Sequence, residues 1–234
     1  MITMQRGFKS KLEAGGIDVG QPIQIQMSIN GNSEYDFSCF GLDQDDKAPD
    51  ESYVVFYNNP HSTNGEISLD DYTAKDSMFQ VDLATLPPQY QKISFAVTVD
   101  EGSMRDIKTC TVQIMQNGQT AFNLEITGRD FQNQKAIITI EIYNKNGWRV
   151  AVVANGFNFS GGLVQLMKHY GIVVSDDSNS TTSQPHQPKR PEKPPDVPVR
   201  NVVREFPRPQ PVLEDRPASS KNAEGFDRND NDWV

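Results

Sequence analysis

What most limits the fold of this chain is a period of two, repeated in short runs. PIQIQMSI (22–29) alternates apolar and polar residues, the pattern of a strand with one face buried and the other wet. YDFSCFGL (35–42), SYVVFY (52–57), MFQVDL (78–83), KISFAVTV (92–99), KTCTVQIM (108–115), AFNLEI (121–126), KAIITIEIY (135–143) and WRVAVVA (148–154) continue the series. Turn-forming residues punctuate them. Asn30-Gly31-Asn32 and Asn144-Lys145-Asn146-Gly147 predict hairpin turns, while Pro87-Pro88 and Asn117-Gly118 mark other connections. About nine short strands at this spacing predict an all-β fold, a β-sandwich.

One segment departs from the period. In LVQLMKHYG, Leu163, Leu166, Met167 and Tyr170 fall at i, i+3, i+4 and i+7, on one face of a short helix. Gln165, Lys168 and His169 face away, and Gly171 suits the helix end, where positive φ is wanted. About two turns of helix are unstable alone, so this one is expected to dock on the sandwich.

Beyond residue 174 the chain changes character. Ten of the 15 prolines lie between Pro185 and Pro217, after the polar run SDDSNSTTSQ. Such a segment favours extended polyproline II and cannot bury a core, which predicts a sandwich domain over 1–174 and a disordered tail over 175–234. PRPQP (207–211) and the acidic tip EGFDRNDNDWV, with Phe226 and Trp233, are candidate docking peptides for protein partners.

The net charge of −9 is concentrated. Residues 34–82 hold 12 acids against only Lys47 and Lys75. Carboxylates in such excess repel phosphates and anionic lipid, which argues against nucleic acid and membrane surfaces as partners. They suit a cation or an ordinary solvated face. Cys39 and Cys110 are too few for a disulfide framework, and each lies in a strand-like run, so both are expected to be buried thiols. The basic opening lacks the apolar stretch of a signal peptide, and no window approaches the ~20 apolar residues of a membrane span. The expected location is cytoplasmic.

Catalytic signatures are sparse. The histidines are His61 in a loop, His169 on the polar helix face and His186 in the tail. No nucleophile elbow, phosphate-cradling glycine loop, HExxH or CxxC occurs. Asp100-Glu101-Gly102-Ser103 reads as a hairpin turn. The chain is expected not to be an enzyme.

VVFYNNP (54–60), FQVDLATLPPQYQKISFAVTV (79–99), NGWRVAVVANGF (146–157) and GGLVQLMKHYGIVV (161–174) occur in the order seen in the TerD family of tellurium-resistance and stress proteins. The chain resembles that family over roughly residues 4–174, including MQRGFKSKL at its start. The resemblance implies a calcium-binding β-sandwich without catalysis, serving as a scaffold or adaptor in stress or resistance. It also implies candidate ligands. Asp36 matches the first acid of a D-x-D strand, where Ser38 replaces the second, and Asn58 and Asn59 match the FYNN amides. The family's glycine-rich acidic loop corresponds to SLDDYTAKDSMFQVDL, with Asp70, Asp71 and Asp76 but no glycine between Gly65 and Gly102.

Calcium takes about six to eight oxygens, and a loop that wraps it closely usually needs glycine to turn its carbonyls inward. Two outcomes stay open. Asp36, Asn58, Asp70, Asp71 and Asp76 assemble one calcium site, or they only cap turns and stay solvated. Asp82 reads as a turn residue. Two other functional classes also stand: a ligand- or peptide-binding module, and an assembly subunit that self-associates through strand edges.

Overall fold

The computed structural model describes residues 1–157 and 162–172. The proline-rich segment, the aromatic tip and His186 lie outside the described residues. Within them, twelve strands form: β1 (Ile2–Met4), β2 (Lys9–Lys11), β3 (Ile23–Gly31), β4 (Asp36–Leu42), β5 (Val54–Val55), β6 (Ile67–Tyr72), β7 (Asp76–Val81), β8 (Lys92–Thr98), β9 (Ile107–Gln116), β10 (Gln119–Ile126), β11 (Ala136–Asn144) and β12 (Trp148–Phe157). One helix, α1 (Gly162–His169), follows.

The strands build two six-stranded sheets, β1-β10-β9-β3-β7-β6 and β2-β12-β11-β8-β4-β5. Their facing sides share one apolar core, in which Phe79 of β7 meets Phe95 of β8 edge to face at 5.6 Å. Alternation does what it should in β3, where Ile23, Ile25, Met27 and Ile29 are buried and Gln24, Gln26 and Ser28 are half-buried. β4 and β8 are buried on both faces, because α1 covers the outer side of their sheet. Leu166 and Tyr170 pack there on Phe40, Ala96 and Ile138, with Tyr170 and Phe40 rings 4.9 Å apart. Burying a side chain of leucine size contributes roughly 1.5–3 kcal/mol, which a two-turn helix needs. The Tyr170 hydroxyl shares a 2.8 Å hydrogen bond with Ser94 Oγ. Gly171, at φ 84°, ends the helix while its N–H and that of Ile172 close back on Lys168 and Met167 carbonyls.

Three strands escape the nine expected ones. β1 and β2 are three residues each, too short to show a period, and β6 carries two aspartates. The run at 52–57 shrinks to a one-turn 3-10 helix (Glu51–Tyr53) and the two-residue β5. The Asn144–Gly147 hairpin forms, with Asn146 and Gly147 at positive φ, and Asn117-Gly118 turns β9 into β10 in the same way. Asn30-Gly31-Asn32 does not make a hairpin: β3 and β4 belong to different sheets, so the chain crosses over there. The stretch after Asp100 is likewise a crossover, from β8 to β9, not a hairpin. Cys39 and Cys110 are free and buried. Among the described residues, no helix is long and apolar enough to cross a membrane.

Candidate functional site

The acidic stretch at 69–83 is a hairpin at the edge of a sheet. β6 is the last strand of its sheet, paired with β7, and residues 60–62 cover the outer side of its first half through a His61–Ser68 bridge and the Ser62–Ile67 and Leu69–Pro60 hydrogen bonds. Leu69 faces Phe79 and Asp71 faces Met78, so Asp70 is the extra residue of a β-bulge. Asp70 and Asp71 are exposed, and Ser68 donates a short hydrogen bond to Asp70. Charges and a bulge on an edge strand oppose pairing with another chain. The turn needs no glycine. Thr73 Oγ1 accepts from the backbone N–H groups of Lys75 (3.1 Å) and Asp76 (2.9 Å), and the Thr73 N–H reaches the Asp76 carbonyl at 2.7 Å. A threonine-capped turn of this kind works with ordinary negative φ.

Lysine ammonium groups fasten the loops at this end of the sandwich. Lys75 Nζ donates to the carbonyls of Gly31 (2.6 Å) and Ser33 and lies 5.0 Å from the Tyr35 ring centre. The Lys75 carbonyl accepts from Ile29 and that of Ala74 from Tyr35. The β6–β7 turn is thus clasped to the β3–β4 crossover. Gly31 is required in that clasp, since a Cβ there would fall 2.2 Å from the Tyr35 hydroxyl. Lys135 repeats the arrangement, donating to the carbonyls of Asp100 (2.8 Å) and Gly102 (2.6 Å) in the β8–β9 crossover. Lys47 donates to the His169 carbonyl at 3.3 Å, beside the C-terminal end of α1, where a cation is favoured. Both bases of the acidic tract therefore end on backbone carbonyls.

The five candidate calcium ligands are distributed as follows. Asp36 opens β4, opposite Thr98 of β8 in the second sheet. Asn58 is exposed in the turn bracketed by the Phe56–Asn59 bridge. Asn59 donates its amide to the carbonyls of Val54 (2.8 Å) and Ser52 (3.4 Å), so it braces that turn. Asp70, Asp71 and Asp76 share the β6–β7 hairpin and are exposed. Among the described residues, no three histidine, cysteine, aspartate or glutamate side chains gather closely enough to hold a metal ion. That arrangement does not fit the carboxylate-rich cage that calcium prefers. Ser38, in place of a second acid, is buried. Asp82 caps a turn, accepting from the Ala84 N–H at 3.0 Å.

A carboxylate missed by pattern reading lies nearby. Glu66 is only 5% exposed, yet its two oxygens accept from Tyr53 Oη (2.9 Å), Ser62 Oγ (2.8 Å), Asn64 Nδ2 (2.9 Å) and the Asn64 N–H (3.3 Å). Burial pushes its carboxyl up, but the hydrogen bonds from Asn64, its own backbone, Ser62 and Tyr53 outweigh that and hold it at about 2. Tyr53 stacks on Tyr90 at 3.8 Å, and burial, with Asp50 and Glu66 near, pushes the Tyr90 hydroxyl up to about 12. Glu66 ties the loop at 62–66 to the second sheet's edge. No period marks it; Ser62, Asn64 and Gly65 before it were the available signal.

Known proteins place the chain. The TerD domain model matches residues 1–170. Over 134 residues the chain is 35% identical to tellurium resistance protein TerA of Alcaligenes sp., a match covering 55% of this chain but 38% of that protein. It is 29% identical over 157 residues to the uncharacterized protein YceE of Bacillus subtilis, covering 60% of this chain and 79% of the relative. General stress protein 16U of the same organism is 28% identical, with 60% and 79% covered. Among solved structures, the protein of unknown function SAV2460 superposes with a TM-score of 0.51 at 12% identity, covering 64% of this chain and 96% of its own, a likeness of fold. With its two sheets, its closing helix and these relatives, the chain belongs to the TerD domain family.

Proposed function

We propose that this chain is a non-catalytic scaffold or adaptor of a tellurium-resistance or stress system, whose loops are held by its own lysines without calcium. The observation that carries this reading is the double clasp of Lys75 and Lys135, each ammonium on two backbone carbonyls of a crossover loop. A divalent cation in such a place would need carboxylates that this chain has put elsewhere. The relatives' names speak of resistance and stress, which supports the setting. The partner-seeking part is the 175–234 segment, and the sandwich is the rigid part.

Calcium titration and a pull-down test the reading. Millimolar calcium should give neither heat nor a gain in melting temperature, and partners captured from the native host should be the same in calcium and in chelator. A protein ending at Val174 should lose those partners. A calcium-dependent rise in melting temperature would overturn the lysine reading, and partner capture by the shortened protein would overturn the role of the tail.

A further inference from the structure

Two short stretches of this chain are alike: Ser103-Met104-Arg105-Asp106 and Thr127-Gly128-Arg129-Asp130. Each forms a single 3-10 turn, Met104–Asp106 and Gly128–Asp130, with the hydroxyl residue at its N-cap. Both lie on crossovers between the sheets, one from β8 to β9 and the other from β10 to β11. Gly128 lets the two turns touch. A Cβ there would fall 2.2 Å from the Arg105 carbonyl oxygen and 2.5 Å from that of Ile107.

That contact brings Arg105 and Arg129 to one cavity of about 510 Å³, lined also by Gly128, Phe131, Gln132 and Asn133. The lining contains no carboxylate. Asp106 is committed to its own turn, accepting from the Ser103 N–H at 2.8 Å and hydroxyl at 3.0 Å. Among the described residues, neither guanidinium has an ion-pair or hydrogen-bond partner. Two cations that line one cavity with no carboxylate in the lining repel each other where they approach, and an anion between them relieves that repulsion. Guanidinium groups match tetrahedral oxyanions with paired N–H donors, and the two carboxamides can add more.

We propose that this cavity binds an oxyanion of the phosphate class, held between Arg105 and Arg129. A dianion matches two guanidinium groups in charge. The ligand is either free phosphate or a phosphate ester whose polar body rests on Gln132 and Asn133. The cavity's volume lies within the range of small-molecule sites and exceeds what free phosphate fills, which favours the ester.

The test is a calorimetric or NMR titration of the full chain with inorganic phosphate, with AMP and with adenosine. Both arginines are exposed, so Arg105→Gln and Arg129→Gln should fold normally, checked by their melting temperatures. Saturable binding of AMP or phosphate, weakened about tenfold or more by either substitution and by added salt, with none for adenosine, bears the proposal out. AMP binding more tightly than phosphate identifies an ester, and equal binding identifies the free ion. The proposal falls if neither phosphate nor AMP saturates by about 10 mM, or if the double variant binds as the natural chain does.

Discussion

Replacing Glu66 with glutamine changes one buried carboxylate into a carboxamide of the same shape. The carboxylate accepts four hydrogen bonds, two on each oxygen. A carboxamide has one oxygen and an NH2 group, so whichever way it is turned, the NH2 confronts one Asn64 N–H donor. The size of the loss follows from how far the carboxyl is held below its ordinary value. The carboxyl stands at about 2 where 4.5 is ordinary. At about 1.4 kcal/mol per unit, that shift amounts to roughly 3 kcal/mol of stability near neutral pH. Because the folded value is depressed, this contribution is fully present above the unfolded value and is lost as pH falls through the folded one. Urea unfolding at a series of pH values should therefore show Glu66→Gln weaker by about 2–3 kcal/mol near pH 7, the gap narrowing between about pH 5 and pH 2. A variant within about 0.5 kcal/mol of the natural chain near pH 7, or one with the same acid slope, would refute the reasoning.

Lys75→Met removes an ammonium from two carbonyls while keeping most of the stem, and should lower stability by about 1–3 kcal/mol, read by thermal or urea unfolding. Calcium should not restore it. Asp70→Val with Asp71→Val strips the charges from the half of β6 that residues 60–62 leave uncovered, and light scattering should show concentration-dependent association stronger than that of the natural chain. Burial pushes the Cys110 thiol up to about 12 and that of Cys39 well above its usual value, so a thiol reagent should label neither in the native protein and both after denaturation.

How much could be read in advance depended on what fixed each element. The interior strands were legible because alternation or continuous apolarity left no other choice, as in Ile23–Gly31 and Lys92–Thr98. The helix was legible from four residues, and Leu166 and Tyr170 are indeed buried. β1 and β2 were illegible, since three residues such as Lys9-Ser10-Lys11 carry no pattern and form a strand only because β12 offers an edge. The β3–β4 crossover was misread because Asn-Gly chemistry specifies a turn and says nothing of which sheet receives the next strand. Asp70 and Asp71 looked like loop acids for a different reason: charge on an edge strand breaks the alternation that would have revealed it. The lysine clasps and Glu66 depend on distant backbone meeting one side chain, and no local window contains that information. Lone lysines in an acidic tract were the nearest hint.

The two short opening strands have a kinetic meaning. β1 closes one sheet by pairing Ile2–Met4 in parallel with Phe122–Leu124, and β2 closes the other by pairing Lys9–Lys11 with Arg149–Ala151. Residues 2–4 and 9–11 wait for partners about 120 and 140 residues further along the chain, and contacts of that span slow folding. β1 can close the first sheet once β10 is made, but β2 finds no edge in the second sheet until β12 is made, and bare edges on a nascent chain are the condition in which β-proteins misassemble. This sandwich is sealed by its beginning, and only once nearly all of its strands exist.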